Sequence, residues 1–211
     1  EVWAAAIGSG IDVSSEQAQA LIDIGEGVTD LAIIRDGQLI YTAAIRTACS
    51  DLQKAVRSAI VSRHKAYICA AEAERLTNTI SIILMSESTD PGYITVQGND
   101  IFKGNDVTID IYEKDIVSAM NPVINRILKM VEFNIKRLPN SVYDEITESG
   151  ICLSGGGALI SGIDNLIKSR INLDVRIASD PTRSVINGEI ETLNYWQGHK
   201  KWWQNIFWPD L

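Results

Sequence analysis

Apolar residues run through Ala20-Leu21-Ile22 and Ile24, break at Gly25-Glu26-Gly27, and resume through Leu31-Ala32-Ile33-Ile34. A run of that kind on both sides of a tight turn predicts strand, glycine turn, strand, within a buried sheet. Strands are expected at Gln19–Ile24, at Asp30–Arg35 and at Gln38–Ile45. The last two are joined through Asp36-Gly37, a strong two-residue hairpin signal. The period then changes. Leu52, Val56, Ala59 and Ile60 recur at helical spacing with Lys54, Arg57 and Arg63 opposite, so residues 49–64 read as an amphipathic helix. A second helix is expected over residues 70–84, weakened by the β-branched Thr77, Thr79, Ile80, Ile82 and Ile83.

Residues 86–92 are polar, acidic and contain Pro91-Gly92, which reads as a loop. Residues 93–97 and 107–112 alternate apolar and polar and predict a second hairpin. The longest helical pattern covers residues 113–138, with a stripe of Ile116, Met120, Ile124, Ile127, Leu128, Val131 and Ile135. Pro122 lies inside it, which implies either a kink or a helix that begins near Asn121. Beyond Pro139-Asn140-Ser141 the pattern predicts a strand at 150–154, a glycine loop at Gly155-Gly156-Gly157, a helix over 159–170, a short strand at 174–178, and a last helix opened by Asp180-Pro181. The first residues, 1–11, are alanine-rich and read as a helix closing at Gly8 or Gly10.

Composition narrows the reading. The chain has 211 residues, 45% hydrophobic and 22% charged, enough for one sizeable core or one core with a small satellite. A net charge of −8 argues against nucleic acid as a partner, because phosphate neutralisation needs clustered Lys and Arg. Cys49, Cys69 and Cys152 fall at no metal-ligand spacing, and their odd number suits a reducing cytoplasm. His64 and His199 stand in unrelated contexts. No apolar run is long enough to span a bilayer and no signal peptide is visible.

Two strand–glycine-loop units separated by a long insert carry the chemistry. A turn such as Gly25-Glu26-Gly27 presents backbone N–H groups to phosphate oxygens, and Asp23 at the strand end is suited to reach Mg²⁺ through water. The pair resembles the second phosphate loop and the adenosine loop of the actin-like ATPase superfamily, and most closely the MreB-like bacterial actins. The likeness extends to Ala4-Ala5-Ala6-Ile7-Gly8, Ile45-Arg46, Glu74-Arg75 and Asp180-Pro181. It covers residues 1 to about 190. Three positions depart from the family pattern. Gly25-Glu26-Gly27-Val28-Thr29 stands where bacterial relatives usually read Gly-Gly-Gly-Thr-Thr, and looks more like eukaryotic actin. Ala48-Cys49-Ser50 replaces a Gly-Gly-Asp, and Thr77 replaces an expected lysine.

The resemblance implies an α/β, actin-like (ribonuclease H-like) ATPase domain, residues 1–49 and 113–194, with a small inserted α+β subdomain, residues 50–112. It implies ATP or ADP with Mg²⁺ in a cleft of which this chain supplies one wall. Gly25, Glu26, Gly27, Val28 and Thr29 would face the phosphates, Asp23 would orient the metal's water shell, and Gly155, Gly156 and Gly157 would lie flat against the nucleoside. Glu74 would contact the ribose, the alternative being a solvated helix face. Glu1 matches the glutamate that positions the attacking water, the alternative being a first-turn carboxylate favoured by the helix dipole. The family's first phosphate loop would lie upstream of Glu1, so the chain alone is expected not to hydrolyse ATP appreciably.

The tail, residues 195–211, concentrates Trp196, Trp202, Trp203 and Trp208 beside Lys200 and Lys201. It reads as a helical segment folded back on the domain, as an interfacial membrane contact, or as a partner contact. The family resemblance implies a cytoplasmic filament protein for cell shape or intracellular organisation. Its partners would be further copies of itself and a membrane surface or membrane-bound morphogenesis proteins. The alternatives are a degenerate, non-polymerising scaffold and a kinase or chaperone ATPase of the same superfamily.

Overall fold

The computed structural model describes residues 1–80, 82 and 92–198. In chain order the elements are α1 (Val2–Gly8), β1 (Gln19–Ile24), β2 (Thr29–Arg35), β3 (Gln38–Ile45), α2 (Cys49–His64), β4 (Ala66–Tyr67), α3 (Ala70–Thr79), β5 (Tyr93–Asp100) and β6 (Asp106–Tyr112). They continue with α4 (Glu113–Ile135), α5 (Asn140–Ser149), β7 (Ile151–Ser154), α6 (Ile163–Ile171), β8 (Val175–Ile177) and α7 (Ser184–Gly198). The strands form a five-stranded sheet, β3-β2-β1-β7-β8, and a three-stranded sheet, β4-β5-β6. In the larger sheet β1 runs antiparallel to β2 and parallel to β7, and β7 parallel to β8.

Successive side chains on a strand point to opposite faces, which is why β1 is apolar at nearly every position. Leu21 goes to one face, with Ala5 and Ala6 of α1. Ile22 and Ile24 go to the other, with Leu52 and Val56 of α2 and the stripe of α4. The β2–β3 turn has the two-residue geometry its sequence demands: Asp36 and Gly37 both take positive φ, 50° and 71°. Helix α4 is unbroken through Pro122. A proline inside a helix costs about 3 kcal/mol. Here Ile116, Met120, Ile124, Ile127, Leu128, Val131 and Ile135 are all buried, and each contributes roughly 1.5–3 kcal/mol. Packing therefore outweighs the break, and neither a sharp restart near Asn121 nor a helix reaching residue 138 is seen.

Other boundaries differ from expectation. Helix α3 ends at Thr79, not residue 84; Ile80 is extended (φ −78°, ψ 121°) and buried, and Ser161 N–H donates to the Asn78 carbonyl. The small hairpin is longer than its alternation suggested, because Gln97–Asp100 pairs on past the turn-like Gly98. Helix α6 starts at Ile163, four residues late, after a 3-10 turn at Gly156–Leu159 and a left-handed Gly162. Helix α5 is not anticipated by the pattern, since its ten residues bury only Val142 and Ile146. The expected loop at residues 86–91 and the tail beyond Gly198 lie outside the described residues.

Helices α1 and α7 cross at two glycines. A Cβ on Gly8 would sit 1.9 Å from the Ser184 carbonyl oxygen, and one on Gly188 would sit 1.8 Å from that of Ala4. Gly188→Ala is therefore expected to push the helices apart and cost about 3 kcal/mol, read as a lowered thermal midpoint. Because both glycines serve one contact, the Gly8→Ala/Gly188→Ala double variant should cost less than the sum of its parts.

Candidate functional site

Parallel pairing of β1 with β7 sets Asp23 beside Ser154. The turn after Ile24 and the loop after Ser154 consequently leave the same sheet edge, where open α/β sheets form their crevices. The two bends interlock. Gly155 has φ +81°, and a Cβ on it would lie 2.2 Å from the Ile24 carbonyl oxygen and 2.5 Å from Asp23 Oδ1. A Cβ on Gly157 would lie 2.2 Å from Ile24 Cγ2. These two glycines are small because another part of the chain occupies the space. Only Gly156 faces open room, its nearest neighbour being Cys49 Sγ at 3.8 Å. Gly155 and Gly157 thus admit β1 closely, and Gly156 is the one of the three with open room beside it.

The first turn is similarly divided. The Gly25 N–H donates to the Val28 carbonyl (3.0 Å), while the Gly25 and Glu26 carbonyls accept from the Cys49 and Ser50 N–H groups (3.2 and 2.9 Å). These last two bonds cap α2, whose N-cap residue Ala48 has no side-chain acceptor of its own. Glu26 and Gly27 keep N–H groups without a backbone partner among the described residues. The turn therefore offers donors from those two positions, not from Gly25.

Around these bends lies a cleft of about 290 Å³. Glu1, Asp23, Gly25 and Glu26 line it, with Glu74, Thr77 and Asn78 of α3, Cys49 and Gln53 of α2, Gly155 and Gly156, and Pro181, Thr182 and Val185. Of the residues expected from sequence, Gly27, Val28, Thr29 and Gly157 are not in this lining. Thr29 is fully buried, and its hydroxyl donates to the Thr47 carbonyl (2.8 Å). Val28 is exposed. The Gly155 N–H and the Ser154 hydroxyl both donate to the Pro181 carbonyl (2.9 and 3.3 Å), which draws Thr182 to the rim. Gln53, Asn78, Thr182 and Val185 were not legible in advance. Helical spacing from Cys49 and Glu74 is the only signal for Gln53 and Asn78; Thr182 and Val185, which follow Pro181, carry none.

Among the described residues no Lys, Arg or His lines the cleft, whereas four carboxylates do. Asp23 is 8% exposed and has no hydrogen-bond partner among the described residues. Its pKa is pushed up to about 6, first by burial, then by Asp30, its cross-strand neighbour, then by Glu1. Asp30 is raised too, by burial and then by Glu1. A buried, unpartnered carboxylate at the mouth of a loop with spare N–H donors fits a hydrated divalent cation bridging to phosphate oxygens. No group of three or more His, Cys, Asp or Glu that could hold a metal directly occurs among the described residues.

Cys49 also lines the cleft, but burial, and then the Glu26 carboxylate, push its thiol up to about 12. The reactive form of a cysteine is the thiolate. At pH 8 a maleimide or iodoacetamide should therefore label the exposed Cys69 at least about tenfold faster than Cys49. Peptide mapping after timed alkylation measures the ratio.

Comparison with known proteins bears on this geometry. Residues 1–201 match the family model described as MreB/Mbl protein. The cell shape-determining protein MreB of Pasteurella multocida (strain Pm70) is 30% identical over 193 residues, which is 92% of this chain and 55% of that protein. Among solved structures, MreB5 of Spiroplasma citri bound to ADP is similar with a TM-score of 0.81 and 28% identity, over 94% of this chain and 60% of that one. A MamK double helical filament shares the fold at a TM-score of 0.71 and 16% identity, over 91% of this chain and 57% of that one. The chain thus spans about half the length of the curated relatives it matches. Two glycine bends locked together over one cleft, on a sheet of this order, are the actin-like arrangement, and the chain belongs to the MreB/Mbl family.

Proposed function

We propose that this chain forms one wall of an adenine-nucleotide cleft in an MreB-like cytoskeletal protein, whose copies associate into filaments that organise cell shape or cell contents. The observation that carries the reading is the interlock of Gly155 with Asp23 and Ile24 at a single sheet edge. Glu26 and Gly27 N–H groups would donate to the phosphates. Gly156 would lie against the nucleoside, Glu74 and Asn78 near the sugar, and Asp23 would hold the water shell of Mg²⁺. The ion would supply charge neutralisation that an acidic wall lacks, and the chain's own part is to hold donors and carboxylate in fixed places. Residues 1–49 and 113–194 would form the larger wall and residues 50–112 the smaller. Glu1, at the rim, would position water once a second wall clamps the phosphates. Cytoplasmic residence belongs to the same proposal, as does contact with a membrane surface through the tryptophan-rich tail. No described helix is long and apolar enough to cross a membrane.

Equilibrium binding of a fluorescent ATP analogue to the chain tests the reading. Saturable binding that ADP competes away, and that chelation of Mg²⁺ weakens at least about tenfold, is expected. Failure of ADP to compete would overturn it. One observation favours a second reading, a degenerate relative that binds nucleotide weakly. Thr77, where the family has a lysine, is buried with its hydroxyl donating to the Ala73 carbonyl (2.7 Å), so no cation extends into the cleft from α3. Pelleting that does not respond to ATP would favour it.

A further inference from the structure

Helix α2 buries Cys49, Leu52, Val56 and Ile60, which turns Lys54, Arg57, Ser58 and Ser62 outward. Strand β4 follows directly. Its Ala66 is buried, so by the alternation of a strand Tyr67 points out, 56% exposed. With the half-buried Val61 these side chains line a groove of about 440 Å³. Helix α2 begins at the cleft, where Cys49 and Ser50 are bonded to Gly25 and Glu26. The groove lies farther along its outer face and shares no lining residue with the cleft.

The sign of the groove is the reverse of the chain's. The net charge is −8, yet among the described residues the lining holds Lys54 and Arg57 and no carboxylate. Neither cation makes an ion pair among the described residues, whereas Arg63 on the same helix pairs with Asp115. Lys65 brings a further cation beside the groove, its Nζ donating to the Ser62 carbonyl (2.7 Å). Cations at the end of a helix complement its dipole, which accounts for Arg63 and Lys65. Lys54 and Arg57 stand in the middle of α2, where the dipole offers no such gain. They are three residues apart on one face, and like charges at that spacing repel. An anion seated between them removes the repulsion.

We propose that this groove is a binding site for a soluble phosphorylated molecule, one that carries a phosphate or pyrophosphate beside an apolar or aromatic body. The Arg57 guanidinium presents a planar fork that matches two phosphate oxygens, and Lys54 supplies a second point charge. Ser58 and Ser62 add hydroxyl donors one turn apart on the same face. Val61 and Tyr67 give the remainder of the ligand an apolar and aromatic surface to rest on. From Lys54 to Ser62 the helix rises only about 12 Å, which suits a compact ligand. A long polyanion would extend past the groove over a chain whose net charge repels it. The site is separate from the nucleotide cleft and does not depend on that reading.

The test is calorimetric titration of inorganic pyrophosphate into the 211-residue chain, without Mg²⁺ and at low salt, with circular dichroism to verify folding. Saturable binding that weakens as salt rises is expected. Lys54→Gln/Arg57→Gln should lower the affinity at least about tenfold, and Ser58→Asp, which sets a carboxylate among the cations, should do the same. Arg57→Lys keeps the charge without the fork, so its loss should be smaller than that of the double variant. The ATP analogue should bind all of these variants as it binds the parent, since none of the three positions lines the cleft. The proposal is overturned if pyrophosphate does not bind the parent, or if the folded groove variants bind it as the parent does. Binding that persists in them but disappears in Gly156→Ala would put the anion in the cleft and overturn it as well. So would groove variants that lose only attachment to anionic phospholipid vesicles, or that lose the ATP analogue together with pyrophosphate. Failure of the analogue to bind any form, the parent included, would count against the cleft reading alone and leave this site standing.

Discussion

Asp23→Asn is expected to raise the thermal midpoint of the chain at pH 8 and, in the same molecule, to remove Mg²⁺-dependent nucleotide retention. Ionised Asp23 is held where its charge is disfavoured, with burial as the main cause and the Asp30 and Glu1 carboxylates adding to it. Its folded pKa of about 6 stands above the usual 3.8. The folded state therefore binds more protons than the unfolded state between these values, and stability falls as pH rises through that window. Above pH 6 the full cost is present, on the order of 2–3 kcal/mol for a shift of this size. Asparagine keeps the shape without the charge. The variant should gain several degrees at pH 8, by the usual scaling of about 2–4 °C per kcal/mol for a chain of this length. The gain should shrink toward zero as pH falls from 6 to 4, where the parent carries a protonated Asp23. Differential scanning calorimetry across pH, beside analogue binding with and without Mg²⁺, reads both effects. A variant that melts lower than the parent at pH 8, or that keeps its Mg²⁺ dependence, would refute this role for Asp23.

The second large effect is expected at the other bend. Gly155→Ala should lower stability by about 3 kcal/mol or more and abolish nucleotide binding together. Its Cβ would enter space held by the Ile24 backbone and Asp23, and its φ of +81° is one that side chains rarely adopt. The backbone cannot yield without separating β1 from β7, the pair that defines the site. Gly156→Ala is the control. Its Cβ meets nothing nearer than Cys49 Sγ at 3.8 Å, so the fold should tolerate it while the added methyl projects into the cleft. It is expected to keep the parent's thermal midpoint and to weaken analogue affinity roughly tenfold. If the two alanine variants melt alike, the interlock of the two bends is not what holds the site.

The contrast between neighbouring glycines marks how far the chain could be read in one dimension. Helix α2 and strand β1 were legible residue by residue, because burial imposes a period and both segments meet a single demand along their whole length. Helix α5 escaped, since two buried apolar residues in ten set no period. Helix α3 ends five residues short of the segment its pattern predicts. Its end is decided by the Ser161–Asn78 bond, a contact between segments more than eighty positions apart. Within the site, Asp23, Gly25, Glu26, Glu74, Gly155 and Gly156 were named from sequence and line the cleft, while Thr29 and Gly157 face inward to bonds and packing that no motif encodes.

By itself the sequence determined the local material: which segments are strands or helices, where two glycine bends interrupt them, and the actin-like likeness those bends carry. Such features depend on neighbours within a few residues, where hydrophobic period and backbone sterics act. Only the tertiary structure decided that residues 23 and 155 share one edge, which amides of the first turn lack a backbone partner, and that Asp23 is buried among like charges. Those properties arise from pairing β1 with β7 and from burial, and both join residues that the linear order keeps far apart.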